Sequence, residues 1–143
     1  MAEGLLRHLY GEQFEVFSAG ASPTHVNPRA IQAMAEIGID ISTQHSKSID
    51  AFRQTDIDVA VSLCRSSPTV TCPVCALPPL GDRPTIIAET VPSAKHYVDH
   101  GFRDPSEIEG SDEEKMAAFR RTRDDIKQWI PTYFADLSID DID

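Results

Sequence analysis

The chain has 143 residues, of which 41% are apolar and 25% charged, with a net charge of −10 at pH 7. One domain accommodates that length, and a core of ordinary size can hold it without staples. The acidic balance excludes nucleic acid and anionic membrane as general partners, because both need positive surface, but it leaves room for a small anionic substrate in a local positive pocket. No apolar run reaches the length of a membrane span. The N-terminus lacks the basic start and long apolar core of a signal peptide, so the expected location is cytoplasmic. Three cysteines, an odd number, do not make a secreted disulfide framework.

The chain opens on a helical stretch, Met1 to Tyr10, with Leu5, Leu6 and Leu9 on one face and Gly11 as its stop. Phe14 to Phe17 reads as a short strand ending at Ser18-Ala19-Gly20, followed by a loop from Ser22 to Val26. Asn27-Pro28 then starts a helix, Asn27 as the cap and Pro28 at the first helical position, where a missing N–H is harmless. Its expected stripe is Ala30, Ile31, Met34 and Ala35, and Gly38 ends it. A short helical piece at Ile49 to Phe52 precedes a strand at Ile57 to Leu63, where Ile57, Val59, Val61 and Leu63 alternate with Asp58, Ala60 and Ser62.

Further strands are expected at Thr85 to Ala88 and Lys95 to Val98, with a polar loop from Gly101 to Gly110. The last helix starts at Ser111, with Glu114 at the capping-box position and Asp112 and Glu113 in the first turn, where the helix dipole favours them. Met116, Phe119, Ile126 and Ile130 are its core stripe. Residues 1–135 are read as the domain and 136–143 as an acidic tail carrying Asp136, Asp140, Asp141 and Asp143. Strands alternating with helices imply the α/β class with a parallel sheet.

All the cysteines fall between Cys64 and Cys75, on a run rich in proline and hydroxyl side chains that begins at a strand's carboxyl end. Sites in α/β proteins gather at such ends. Three readings stand side by side. Cys64 and Cys72 can pair reversibly, since a loop of seven intervening residues closes easily. Cys72-Pro73-Val74-Cys75 is a Cys-x-x-Cys knuckle that Cys64, His96 and His100 could complete for zinc, although no second knuckle exists. Or Cys64 is a small buried hydrophobe. Asp104, in Gly101-Phe102-Arg103-Asp104-Pro105, is either a general acid or a turn aspartate before proline. The five histidines are scattered singly, and their order suggests no nucleophile–base arrangement.

Several runs together resemble one family. They are Ser18-Ala19-Gly20, Val26-Asn27-Pro28-Arg29-Ala30-Ile31, Met34 to Ser42, Ser46-Lys47-Ser48, Cys64, Cys72-Pro73, Gly101 to Pro105, Glu109-Gly110 and the start of the last helix. This pattern is similar to the arsenate reductases built on the low-molecular-weight tyrosine phosphatase fold. The resemblance covers nearly the whole chain, apart from Leu77 to Ser93, which is longer than the usual connection. It implies a three-layer α/β/α fold of the phosphotyrosine phosphatase I type, here missing its first strand.

It also implies reduction of arsenate to arsenite by a cysteine relay. A nucleophilic cysteine sits in a Cys-x5-Arg loop whose N–H groups and arginine cradle arsenate or a phosphate-like oxyanion. Cys64 matches the first relay thiol and Cys72 the resolving thiol, reset by thioredoxin or a similar thiol donor. Asp104 matches the general acid, and Cys75 has no counterpart. No organic cofactor or resident metal is implied.

Glu3 and Ser18 resemble positions that help hold a monovalent cation in some members. The third ligand there is an aspartate, and Lys47 takes its place, so the Lys47 ammonium is expected to stand in for the ion. None of the three cysteines is followed six residues later by arginine: those positions hold Val70, Pro78 and Gly81. The expectation is that Met1 is an internal methionine of a longer reading frame, the alternative being a truncated paralogue, and that the chain as it stands is inactive. Two other functions remain open: a tyrosine phosphatase, which shares fold and loop but does not need Cys64 and Cys72, and a non-catalytic remnant that binds a partner or zinc.

Overall fold

The computed structural model describes residues 1–20, 23–64 and 94–135, and for Cys64 the backbone alone. Its elements are α1 (Ala2–Tyr10), α2 (Pro28–Ala35), a 3-10 turn at Ile49–Phe52, β1 (Ile57–Cys64), β2 (Ala94–Phe102), a second 3-10 turn at Pro105–Glu107, and α3 (Asp112–Phe134). They group into two compact units. One is helical, drawn from residues 1–18, 24–46 and 104–135; the other holds residues 19, 20, 23, 47–64 and 94–103.

In the helical unit, α3 packs on α1, on α2 and on the 3-10 turn at Pro105–Glu107. Helices α2 and α3 start where side-chain chemistry says they should. Asn27 Oδ1 accepts the backbone N–H of Arg29 at 2.9 Å, with Pro28 opening the first turn of α2. Ser111 Oγ accepts the N–H of Glu114 at 3.2 Å, while the Glu114 carboxylate accepts the N–H of Ser111 at 2.8 Å. Each exchange satisfies donors that a bare helix start leaves orphaned. The chain leaves α2 through a turn at Gly38, whose φ of +80° is a conformation that favours glycine.

The core of this unit is Leu5, Met34, Ile41, Met116, Phe119, Ile126, Ile130 and Phe134, with smaller residues between. Gly4 lets α1 approach it: a Cβ there would lie 2.6 Å from Ile41 Cγ2 and 3.3 Å from Met34 Cε. On α2 the buried stripe is Ala30, Ala33 and Met34. Ala33 thus replaces Ala35 of the expected set, and Ala35 is exposed. Pro131 lies inside α3 on its exposed side.

The segment Phe14 to Phe17, read above as a strand, is not one. It is held by side chains instead of a ladder. The Phe14 ring meets Phe134 edge-on at 5.8 Å and Tyr10 at 6.2 Å. Val16 is buried, and its carbonyl accepts a hydrogen bond from Arg7 rather than from a neighbouring strand. Apolar alternation over four residues reports which side chains turn inward, and a side-chain donor can satisfy the backbone as well as a strand can.

In the second unit, β1 and β2 pair in parallel, with Ile57 opposite Ala94, Val61 opposite Val98 and Cys64 opposite Phe102. The register shifts between Ser62 and Cys64. Lys95 reaches Asp58 across the pair at 2.9 Å. β2 is longer than its expected Lys95 to Val98, and it absorbs Gly101 and Phe102, which were read as loop. A parallel bridge between Gly20 and Ser48 adds one further backbone pairing. The α/β reading with a parallel sheet is therefore correct. The expected strand at Thr85 to Ala88, Cys72, Cys75 and the tail from Asp136 lie outside the described residues.

Candidate functional site

Cys64 is the last residue of β1, and its backbone stands beside Phe102 near the end of β2. Asp104 follows Phe102 by two residues. The parallel pairing thus brings the last residue of β1 level with the residue two before Asp104. The strand end expected to carry the site is where Cys64 stands.

Asp104 caps the 3-10 turn at Pro105–Glu107. Its Oδ1 accepts the backbone N–H of Ser106 at 2.8 Å and the Ser106 hydroxyl at 2.6 Å. Pro105 fixes the first position of that turn, so the Asp-Pro pair sets both backbone and carboxyl orientation. The turn-aspartate reading thus describes what Oδ1 does. The carboxyl is exposed, so water and a substrate can reach it.

Glu3 and Ser18 are brought together. The Ser18 hydroxyl donates to Glu3 Oε2, and the Glu3 side chain is only 6% exposed. Arg7, which the sequence reading passed over, lies one turn along α1. Its Nη2 donates to Glu3 Oε1 at 2.8 Å and to the Val16 carbonyl at 2.7 Å. The signal for it was present as a Glu–Arg pair four residues apart, the spacing of neighbours on a helix face. Lys47 belongs to the other unit, where its carbonyl accepts the N–H of Gly20 at 2.9 Å.

Behind the Asp104 turn runs a polar groove of about 380 Å³, lined by Asn27, Arg29, Ser106, Glu107, Lys115 and Phe119 among others. Arg29 is engaged there by Asp112 at 2.5 Å. Between α2 and α3 a second charged group forms around Glu36, whose carboxylate takes both a forked contact from Arg120, at 2.6 to 3.1 Å, and Arg123 Nη1 at 3.2 Å. The Arg120 hydrogen bonds, then its charge and that of Arg123, hold the Glu36 carboxyl below its ordinary value. Arg123 is buried and also donates to the Ala33 carbonyl at 2.8 Å and to Asp124 at 2.7 Å. This cluster is structural cement between two helices. Among the described residues, no three His, Cys, Asp or Glu side chains are gathered as a metal site would need, and no helix is long and apolar enough to cross a membrane.

Comparison with known proteins places these features in context. The family model for low molecular weight phosphotyrosine protein phosphatase matches residues 1–141. The chain is 42% identical over 133 residues to an arsenate reductase of Halalkalibacterium halodurans, covering 93% of this chain and 84% of that protein. It is 38% identical over 128 residues to an arsenate reductase of Bacillus subtilis, covering 88% of this chain and 78% of that one. Among solved structures, an arsenate reductase in its reduced state superposes with a TM-score of 0.67 at 31% identity, covering 96% of this chain and 87% of that chain. One in a phosphate-binding state superposes with a TM-score of 0.64, with the same identity and coverage.

Proposed function

Because the chain belongs to the low molecular weight phosphotyrosine protein phosphatase family, we propose that it serves arsenate reduction, carrying the thiol relay that passes oxidising equivalents from an arsenic adduct to a thiol donor such as thioredoxin. The observation that carries this reading is Cys64 at the carboxyl end of β1, paired in register with Phe102. Arsenate reductases are also the relatives that the chain matches over most of its length.

In this reading a thiolate displaces an arsenate oxygen, which leaves as water after protonation by the Asp104 carboxyl. The Cys64 thiolate then attacks the sulfur of that thiol–arsenic bond. A disulfide forms, the bonding pair stays with arsenic, and arsenic(V) leaves as arsenite, reduced by two electrons. Cys72 attacks the disulfide at Cys64, releases the first thiol, and leaves a Cys64–Cys72 disulfide for two thiols of the donor to reduce. Such a relay needs a reducing compartment, which suits a cytoplasmic location. No cysteine in the sequence heads a Cys-x5-Arg run, so the 143-residue chain supplies the relay and not the attacking thiolate of the first step.

The test separates those parts. After mild oxidation, the 143-residue chain should contain a Cys64–Cys72 disulfide by mass spectrometry and should be reduced by thioredoxin. Cys64→Ser and Cys72→Ser should each abolish that reduction, and Cys75→Ser should leave it intact. The pure chain should turn over neither arsenate nor p-nitrophenyl phosphate. Thioredoxin-dependent reduction that survives Cys64→Ser sinks the relay. Hydrolysis of p-nitrophenyl phosphate by the pure chain, unaffected by the two serine variants, favours the phosphatase reading that the family description also supports.

A further inference from the structure

From Ile57 to Ser62 the strands β1 and β2 pair one residue against one. The end of the pair is different. β1 advances two residues, from Ser62 to Cys64, while β2 advances three, from Asp99 to Phe102. One extra residue on one strand is the count of a β-bulge, a feature that re-aims side chains and gathers beside active sites. His100 lies inside it. Its ring is half-buried and stands edge-on to Phe102, with centroids 4.8 Å apart, and Phe102 is the residue level with Cys64. The bulge therefore holds an imidazole at the level of Cys64. A thiol of ordinary acidity is only a few per cent thiolate at neutral pH, and the thiolate is the form that attacks. Imidazole is the side chain that exchanges a proton in that range.

We propose that His100 is the base that activates the Cys64 thiol, a role that rests on reading Cys64 as the first relay thiol. The imidazole takes the Cys64 proton, the thiolate's electron pair forms the new S–S bond, and the imidazolium passes the proton to water. The bonding pair still stays with arsenic, so the electron balance of the relay is unchanged. Other titratable and charged groups stand on the two strands and just after them. Asp58 and Lys95 answer one another at 2.9 Å near the start of the pair. The Tyr97 hydroxyl accepts the N–H of Ala94 at 3.0 Å. Asp99 is exposed and opposite Ser62. His96 is exposed and opposite Val59, five residues before Cys64 and roughly 16 Å of strand away. Arg103 and Asp104 follow Phe102 and are exposed. The Arg103 charge can favour a thiolate, but a guanidinium has no lone pair with which to take its proton. Among these groups, His100 alone combines a place at the level of Cys64 with the ability to accept a proton near neutrality.

The rate at which iodoacetamide alkylates Cys64 tests it, read by mass spectrometry across pH on the 143-residue chain carrying Cys72→Ser and Cys75→Ser. In that background His100→Gln should slow Cys64 about threefold or more at about pH 6.5 and leave it within about a factor of two at about pH 10, where the thiol ionises unaided. The profile thereby moves to higher pH by about one unit. His8→Gln, on α1, should leave the profile unchanged. The proposal is overturned by an unchanged profile in His100→Gln, by slowing of the same factor at every pH, or by a shift that Arg103→Ala produces and His100→Gln does not. If His100→Gln does not fold, the parent chain decides: at about pH 6.5 its Cys64 should react about threefold or more faster folded than in concentrated urea, and an equal or slower rate overturns the proposal. Thioredoxin-dependent reduction of the Cys64–Cys72 disulfide is a separate readout. A profile independent of His100 with that reduction intact strikes the base alone, whereas loss of that reduction strikes the relay reading and leaves the alkylation result standing.

Discussion

The helical unit and the sheet unit are built on different terms. Every fully buried apolar side chain among the described residues belongs to the helical unit, from Leu5 through Met34 and Ile41 to Phe134. In the sheet unit Val59, Val61 and Leu63 of β1 and Tyr97, Val98 and Phe102 of β2 are only half-buried. The helices make their own dry interior, closed by caps and by the Glu36–Arg120–Arg123 group. The two strands among the described residues supply backbone pairing and a precise register at Cys64, with little burial of their own. The lesson is a division of labour: buried apolar packing is concentrated in the unit that lacks Cys64, and the strand end that carries Cys64 depends on pairing.

The sharpest way to break that comparison is a matched pair of truncations followed by urea unfolding. Met34→Ala, at a fully buried site, should cost about 2–5 kcal/mol, whereas Val61→Ala, on the half-buried strand, should cost about 1 kcal/mol. Equal costs would remove the contrast. A smaller effect is expected from Ser111→Ala, which deletes half of the capping box of α3 and should cost about 1 kcal/mol with no change at the strands.

Smallest of all is the acid response of the Glu36 group. Its carboxyl is held below the ordinary value in the folded state by the Arg120 hydrogen bonds first, and Asp124 likewise by Arg123. On lowering the pH the unfolded chain takes up these protons first, so this contribution is complete above the ordinary carboxylate range and is lost as the pH falls through the depressed folded values. Unfolding followed from neutral to acid pH should show that loss, and Glu36→Gln should flatten part of it. An unchanged acid slope in Glu36→Gln would remove the group from the account.

Much of this was legible in the sequence where local chemistry decides local structure. Asn27 and Ser111 announced their helices because a side-chain oxygen at that position answers a backbone donor within three residues. β1 was legible because its alternation is long. Phe14 to Phe17 misled for the opposite reason: four alternating residues fit a strand and an inward-turned loop equally, and the deciding partners, Arg7 and Phe134, are remote from the pattern or outside it. Arg123 hid in plain view. The spacing 116, 119, 123, 126, 130 is unbroken, and the charge at its centre could have been read as a buried cation needing a carbonyl and a carboxylate. At the site, the residue types at Cys64 and Asp104 were readable, but the pairing of Cys64 with Phe102 follows from a register between strands some forty residues apart, which no local signal encodes.

The hydrogen bond from Arg123 to the Ala33 carbonyl spans ninety positions in the chain, and it has a consequence for synthesis. α1 and α2 leave the ribosome long before the helix that completes their core. At typical elongation speeds of about 5–20 residues per second, the wait is roughly 5–20 s. During that interval Leu5, Met34 and Ile41 have no α3 against which to bury themselves. The nascent chain carries an unfinished apolar surface until its last long helix emerges, which makes that interval the time when a chaperone has most to hold.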